Sequence, residues 1–236
     1  MPTTRDVQIA ISAADVLRRN GLRFGGRLNP RVRDLVPDLL RVVETEDLLQ
    51  PAIAYREWQV AAAEGTVMRL ANGARIEGAP RLVEQLADAT SMLAVAGTLG
   101  PRLDAHVSRL FAERQPMRAL VLEEIGILAV AKLGDAIRDL LDEEAKARGQ
   151  ECSSPMSPGE TGFAMATQPT VVALAGGEEI GITLSASGAM MPVKSLSMVL
   201  GVGEDMPRWA AWQICAGCAA RERCRYRLVP QDEAVT

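Results

Sequence analysis

The chain has 236 residues and a formal net charge of −4, from 26 basic and 30 acidic residues, and 48% of its residues are hydrophobic. This is enough apolar material for a buried core without disulfide bonds, and the mixed charges give no electrostatic case for nucleic acid. No apolar run reaches the roughly 20 residues that a membrane helix needs, and the N-terminus lacks a signal-peptide pattern. We therefore expect a cytoplasmic protein that binds neither nucleic acid nor membrane.

Two amphipathic helices are predicted near the N-terminus. Apolar residues recur at three- and four-residue steps across residues 7–19, where Val7, Ile9 and Ile11 begin the pattern. The same spacing continues across residues 31–49. Both segments are expected to bury one face against the rest of the domain.

A meander, a strand and a long helical region follow. Residues 51–78 alternate between apolar and polar positions around an Asn72-Gly73 turn, which predicts a small antiparallel meander. The stretch 81–89 has a short helical pattern, and "SMLAVAGTLG" at 91–100 is typical of a buried strand. Residues 101–149 are predicted to be helical.

The C-terminal third is less regular. Residues 150–170 contain three prolines and two glycines, which predicts a long loop with a function of its own, and a short helix is expected after it. Residues 180–203 are predicted to form two strands around a turn at Met191-Pro192. We therefore predict one α+β domain over residues 1–206 and a cysteine-containing tail over residues 207–236.

Four stretches carry a resemblance to a known family: "AGTLGPRLDAHVSRLF" (96–111), the helical run at 118–149, "SPMSPGETGF" (154–163) and "IGITLSASGAMMPVKSLSMVLGVG" (180–203). Their order resembles the activation domain of cobalamin-dependent methionine synthase, and more closely the stand-alone proteins built on that domain. The resemblance implies a bent antiparallel sheet flanked by helices. It also implies S-adenosylmethionine in a shallow groove and a corrinoid protein as partner, which carries the cobalamin.

The same resemblance implies a set of site residues. The family's loop has an arginine followed, four residues on, by glycine and then tyrosine; Pro155, Gly159 and Glu160 occupy these positions here. On the long helix, Asp135 lies one turn after the position where the family supplies a carboxylate. The candidate cofactor-binding residues are therefore Gly159, Glu160, Asp135, Lys194 and Ser195.

Three cysteines lie close together in "ICAGCAARERCRYR". Cys215, Cys218 and Cys224 have C-x2-C-x5-C spacing, which allows three thiolates to reach one metal, and Cys152 in the loop is the candidate fourth ligand. We predict an iron–sulfur cluster, with structural zinc or free, redox-exchanging thiols as alternatives. The arginines around the cysteines are expected to stabilise an anionic cluster, to dock an acidic electron donor, or simply to face solvent: Arg221, Arg223, Arg225 and Arg227.

These features lead to one main hypothesis and two alternatives. The main hypothesis is reductive reactivation and remethylation of a separate corrinoid protein, in a split methionine synthase or a related methyl-transfer system. The iron–sulfur centre would deliver electrons from a flavodoxin-like or ferredoxin-like donor. The alternatives are a non-catalytic, zinc-stabilised module that caps the corrinoid, and an S-adenosylmethionine-dependent methyltransferase. The single histidine, His106, is expected to be a surface or capping residue.

Overall fold

A computed structural model describes residues 3–5, 7–23, 30–216, 218, 221–224 and 227, and of residues 19–23, 211 and 214 it describes the backbone alone. The helices are α1 (Ala13–Arg23), α2 (Pro30–Thr45), α3 (Pro80–Gln85), α4 (Arg102–Ala112), α5 (Pro116–Lys146), α6 (Gln168–Ala175) and α7 (Ala211–Ala216). The strands are β1 (Thr3–Thr4), β2 (Ala52–Glu64), β3 (Val67–Leu70), β4 (Arg75–Glu77), β5 (Ser91–Thr98), β6 (Glu151–Cys152), β7 (Thr183–Leu184), β8 (Met190–Met191) and β9 (Ser195–Gly203). Within these ranges, no helix is both long enough and apolar enough to cross a lipid bilayer.

The main sheet is antiparallel throughout, with strand order β4-β3-β2-β5-β9-β6, and β1 pairs with β2. It curls into a half-barrel flanked by helices, so the predicted α+β class is confirmed. Strand β5 is buried along its whole length and pairs with β2 on one edge and β9 on the other. The predicted meander is also confirmed as β2, β3 and β4, with Gly73 in a positive-φ turn between the last two.

The two faces of the sheet pack against different elements. Alternate residues of β5, such as Leu93 and Val95, face α5, whose inner side is apolar along most of its length. The intervening residues Met92, Ala94 and Ala96 face α3, α6 and the loop that carries the buried Phe163. A third core, formed by α1, α2, α4 and the start of α5, completes the domain. The sheet therefore separates α5 from loop 153–168.

Residues 7–12 are not helical, which corrects the first predicted helix. Val7, Ile9 and Ile11 are half-buried, alternate with exposed residues, and pack against the α5 side of the sheet. This is the two-residue period of an extended chain, and the helix begins only at Ala13. Ser12 accepts at its side-chain oxygen a hydrogen bond from the Asp15 backbone N–H at 3.1 Å, as expected of an N-cap residue.

Two further predictions change in detail. The helical region at 101–149 is two helices, because Arg114 has a φ of 58° and Pro116 starts a new helix. The region at 180–203 contains three strands instead of two. Strands β7 and β8 form a separate hairpin, and β9 follows the cis Met191-Pro192 bond, so the turn at Met191-Pro192 precedes the long strand as predicted.

Helix α5 contains two glycines with opposite surroundings, which provide a matched test of its packing. A Cβ at Gly126 would meet the buried Leu103 side chain and, at 2.8 Å, Lys194 Cε, whereas a Cβ at Gly134 would meet nothing closer than Leu196 Cδ2 at 3.6 Å. We expect Gly126→Ala to lower the free energy of unfolding by about 1–3 kcal/mol through overpacking. Gly134→Ala should raise it by up to about 1 kcal/mol, because alanine is the better helix former.

Urea unfolding followed by circular dichroism measures both variants. Equal stabilisation by the two substitutions would show that α5 does not approach α4 and Lys194 as closely as described.

Candidate functional site

The five candidate cofactor-binding residues lie in three separate places. Asp135 is on the exposed side of α5, in an ion pair within that helix. Gly159 and Glu160 belong to the loop on the opposite face of the sheet. Lys194 and Ser195 lie where β9 begins. Because the sheet stands between Asp135 and Glu160, these residues do not form a single pocket.

Lys194 is the centre of a buried ion-pair cluster. Its side chain is 5% exposed, and Nζ donates to Asp104 Oδ1 at 3.1 Å and to Glu123 Oε1 at 2.8 Å. Burial alone would lower the pKa of Lys194, but the hydrogen bonds to Glu123 and Asp104 outweigh burial and raise it. Asp104 also accepts from the Val193 backbone N–H at 2.9 Å. The cluster therefore ties the turn before β9 to α4 and α5.

Ser195 has an equally structural environment. Its hydroxyl donates to Pro192 O at 2.7 Å and shares a hydrogen bond with Thr98 Oγ1 at 2.9 Å. Thr98 Oγ1 in turn accepts from the Gly100 N–H at 3.1 Å. Lys194 and Ser195, in the stretch 180–203 that resembles the family, thus hold the cis-proline turn against β5. Their polar side-chain atoms already have hydrogen-bond partners.

Loop 154–163 folds around a buried phenylalanine. Gly159, with a φ of 96°, donates from its N–H to Phe163 O at 2.8 Å, and Phe163 N–H donates to Glu160 O at 2.9 Å. Glu160 Oε1 accepts from the Ser157 N–H at 3.2 Å. In the described part of the chain, the buried Oε2 of Glu160 has no hydrogen-bond partner. Burial raises the pKa of Glu160, and the positive charge of Arg81 opposes this effect.

Arg81 and Trp209 lie near loop 154–163, although the sequence patterns did not indicate either as a site residue. Arg81, on α3, donates from its backbone N–H to Gly162 O at 3.0 Å, and its guanidinium carbon lies 5.5 Å from the centroid of the Trp209 ring. Among the described residues, the guanidinium has no ion-pair partner. The buried Nε1 of Trp209 likewise has no described hydrogen-bond partner. Residues 81, 160 and 209 are far apart in sequence, and only the fold brings them together.

Cys152 is a core residue in this structure. It is 0% exposed on the α5 side of the sheet, and its Sγ lies 3.5 Å from Leu141 O. Burial raises the pKa of the Cys152 thiol to about 11, and the nearby charge of Asp142 adds to the effect. The thiol is therefore enclosed among apolar core residues on the α5 side of the sheet.

The tail cysteines differ from Cys152 in exposure. Cys215 and Cys224 are half-buried and Cys218 is exposed, with the Cys218 N–H donating to Cys215 O at 3.3 Å. Over the described ranges, no group of three or more His, Cys, Asp or Glu side chains is arranged to hold a metal ion. No iron–sulfur or zinc site is therefore evident among the described residues. Arg225, predicted to lie beside them, is outside the described residues.

His106 is buried, whereas a surface or capping position was expected. It is 8% exposed, with Nδ1 3.1 Å from Glu46 Oε2 and 2.9 Å from Arg109 Nη2. These contacts join the end of α2 to α4. His106 therefore has a structural role between helices.

The fold is similar to that of the MetH reactivation domain, whose crystal structure was determined bound to AdoHcy (S-adenosylhomocysteine). The TM-score is 0.58 at 15% sequence identity, and the match covers 90% of this chain and 84% of that chain. No protein-family model matches the sequence, and no curated protein sequence matches it. At this identity the similarity establishes the fold, which is the one that the sequence resemblance implied.

The buried ion-pair cluster predicts a large loss of stability for Lys194→Met. The substitution leaves Asp104 and Glu123 facing each other without their cation, and because both carboxylates keep some contact with water we expect a loss of about 2–3 kcal/mol. The exposed pair Arg138–Asp135 is the control, and Arg138→Met should cost less than about 0.5 kcal/mol. Chemical denaturation measures both, and equal effects would contradict the cluster's structural role.

The burial of Cys152 predicts that its thiol does not react in the folded protein. At pH 8, in the presence of a chelator, dithiobis-nitrobenzoate should modify Cys152 only after unfolding. Because the folded pKa of about 11 lies above the ordinary value of 9.0, the unfolded chain loses this proton first, so stability should fall between these two pH values. Cys152→Ala should remove that component of the pH dependence, and rapid labelling of native Cys152 would contradict its placement.

Proposed function

We propose that this chain acts on a separate corrinoid protein and takes part in returning its cobalamin to the active state. The observation that carries the proposal is the fold similarity to the MetH reactivation domain, which extends over nine-tenths of this chain. The four matching sequence stretches occur along the chain in the order of that family, which supports the same assignment. The fold alone does not assign an activity, so the support is combined evidence from fold and motifs.

We further propose that loop 154–163 and Arg81 hold the amino-acid end of S-adenosylmethionine. The related domain was solved with AdoHcy, which has the same amino-acid end. Pro155 stands where the family has its arginine, and Arg81 on α3 contacts this loop through its backbone N–H, which donates to Gly162 O. Among the described residues its guanidinium has no ion-pair partner and lies over the Trp209 ring. A guanidinium can bind a carboxylate through two parallel hydrogen bonds. The buried Oε2 of Glu160, which has no hydrogen-bond partner among the described residues, can accept from an ammonium group.

The other three candidate residues are not included in the proposed site. Asp135 is separated from the loop by the sheet, and Lys194 and Ser195 are engaged in contacts of their own. The proposal therefore keeps Gly159 and Glu160 and adds Arg81.

Electron delivery through an iron–sulfur cluster stays a prediction from the C-x2-C-x5-C spacing, and we assign no step to it. Metal analysis of anaerobically prepared protein separates the predicted alternatives. Iron with sulfide would favour electron transfer, and zinc would favour the non-catalytic capping module. Metal-free protein would leave the tail cysteines as free or exchanging thiols.

The proposed function is tested with the isolated cobalamin-binding domain of a methionine synthase, loaded with cob(II)alamin under anaerobic conditions. With titanium(III) citrate as the electron source, we expect the wild-type chain and S-adenosylmethionine together to convert the cob(II) spectrum to that of methylcobalamin. No conversion, and no complex between the two proteins on gel filtration, would overturn the proposal.

Arg81→Met tests the cofactor assignment by direct measurement of S-adenosylmethionine binding. Loss of a charge-assisted contact to the carboxylate should weaken binding of S-adenosylmethionine about 10- to 100-fold, measured by calorimetry. Arg75→Met is the matched control, because Arg75 lies on β4 in an exposed pair with Glu77 and should change nothing. Absence of binding heat with the wild type would remove the cofactor and leave a corrinoid-capping role.

A further inference from the structure

The segment that leads into the cysteines is hydrogen-bonded to the loop at the edge of the main sheet. We call residues 207–209 the anchor segment. Ser154 donates from its backbone N–H to Pro207 O at 3.0 Å, and its side-chain oxygen accepts from the Trp209 N–H at 2.9 Å and lies 3.2 Å from Trp209 O. On its other side, the same stretch of loop pairs with β9 through Ser153 and Met156. The anchor segment therefore lies beside the loop residues that pair with β9.

The anchor segment is also held by side chains from both faces of the sheet. Arg208 makes two hydrogen bonds to Asp142 on α5, at 2.9 and 3.2 Å. The Trp209 ring packs against the core on the opposite side, under the guanidinium of Arg81. Helix α7, which carries Cys215, follows the anchor segment directly in the chain.

Arg81 contacts both the anchor segment and loop 154–163. Its backbone N–H bonds to Gly162 O, and a Cβ at Gly162 would come within 2.7 Å of Arg81 Cβ, so the loop lies directly on this residue. Its positive charge acts on Glu160, while its guanidinium lies over the Trp209 ring. The Arg81 guanidinium therefore interacts both with the ring of Trp209 and, at longer range, with the charge of Glu160.

We propose that Arg81 couples the charge of loop 154–163 to the docking of the cysteine-bearing helix α7. A negative group in the loop, whether the Glu160 carboxylate or the carboxylate of a ligand, draws Arg81 away from Trp209 and loosens the anchor segment. When this negative charge is removed, the Arg81 guanidinium stays over the Trp209 ring and the anchor segment is held more firmly. This coupling goes beyond the proposed function, because it is a property of the isolated chain and requires neither the corrinoid protein nor a metal.

Two readouts follow the anchor segment. In a variant with Trp58→Phe and Trp212→Phe, Trp209 is the only tryptophan, and its quenching by acrylamide reports its exposure. In a second variant with Cys218→Ser and Cys224→Ser, the rate at which dithiobis-nitrobenzoate modifies Cys215 in the presence of a chelator reports the docking of α7.

Arg81→Met should raise both the quenching of Trp209 and the modification rate of Cys215 by about threefold or more. Arg75→Met, in the exposed ion pair on β4, should change neither. Ser154→Ala removes the side-chain hydrogen bonds to the Trp209 backbone and should raise the same two quantities. Circular dichroism confirms that each variant is folded. If both Arg81→Met and Ser154→Ala stay within the range of the control, the proposed role of the anchor segment in holding α7 is wrong.

A double-mutant cycle tests the coupling itself. Glu160→Gln should lower the quenching of Trp209, because the competing attraction for Arg81 is gone, and should have no effect in the Arg81→Met background. The same effect of Glu160→Gln in both backgrounds, or no effect in either, would overturn the coupling. Since no cofactor or partner is added, failure of the corrinoid assay does not alter this result, and failure of the cycle does not alter the proposed function.

Discussion

Everything else in this protein depends on the burial of strand β5. The strand is hydrogen-bonded along both edges, by β2 and β9, and is covered on both faces. Backbone polar groups in such a position must all be paired within the sheet, which fixes the register of the neighbouring strands. The burial of both faces also requires two separate apolar layers, one supplied by α5 and the other by α3, α6 and loop 153–168. The site residues are distributed between these layers.

The end of β5 leads into the second constraint, the cluster around Lys194. A buried ammonium group is tolerated because two carboxylates from different helices receive its hydrogen bonds. Its hydrocarbon stem passes so close to α5 that Gly126 is the residue that leaves it room. The Lys194-Ser195 pair is thereby explained by packing and charge, and its polar atoms are occupied by partners within the protein. Among the described residues, the buried Glu160 Oε2 and Trp209 Nε1 have no hydrogen-bond partner, and both residues lie across the sheet with Arg81.

This arrangement unites two features that seemed independent in the sequence, the proline-rich loop and the cysteine tail. They are hydrogen-bonded to each other through Ser154 and the anchor segment, and both contact Arg81. The loop does not reach the tail through Cys152, whose thiol is enclosed between β6 and α5. The loop and the tail are therefore connected by the hydrogen bonds of Ser154 and by Arg81, whose guanidinium lies over the Trp209 ring.

Local patterns in the sequence were sufficient for most of the elements. The Asn72-Gly73 turn, the buried run of β5 and the amphipathic spacing of α2 depend on neighbours within a few residues, and the structure agrees with each. The four ordered stretches were likewise sufficient to indicate the fold. The period of Val7, Ile9 and Ile11 was ambiguous because a short apolar series fits a helix or a strand, and only the surface it packs against decides between them.

The site was decided by the tertiary structure. Side chains from α3, from the loop and from the anchor segment meet only after the sheet has curled, and no sequence spacing links positions 81, 160 and 209. In the folded protein the candidate residues Asp135, Lys194 and Ser195 have partners outside the loop. The sequence by itself determined which elements form and in what order. Which polar groups are left open for chemistry depended on burial and on partners distant in the chain, and these are properties of the folded molecule alone.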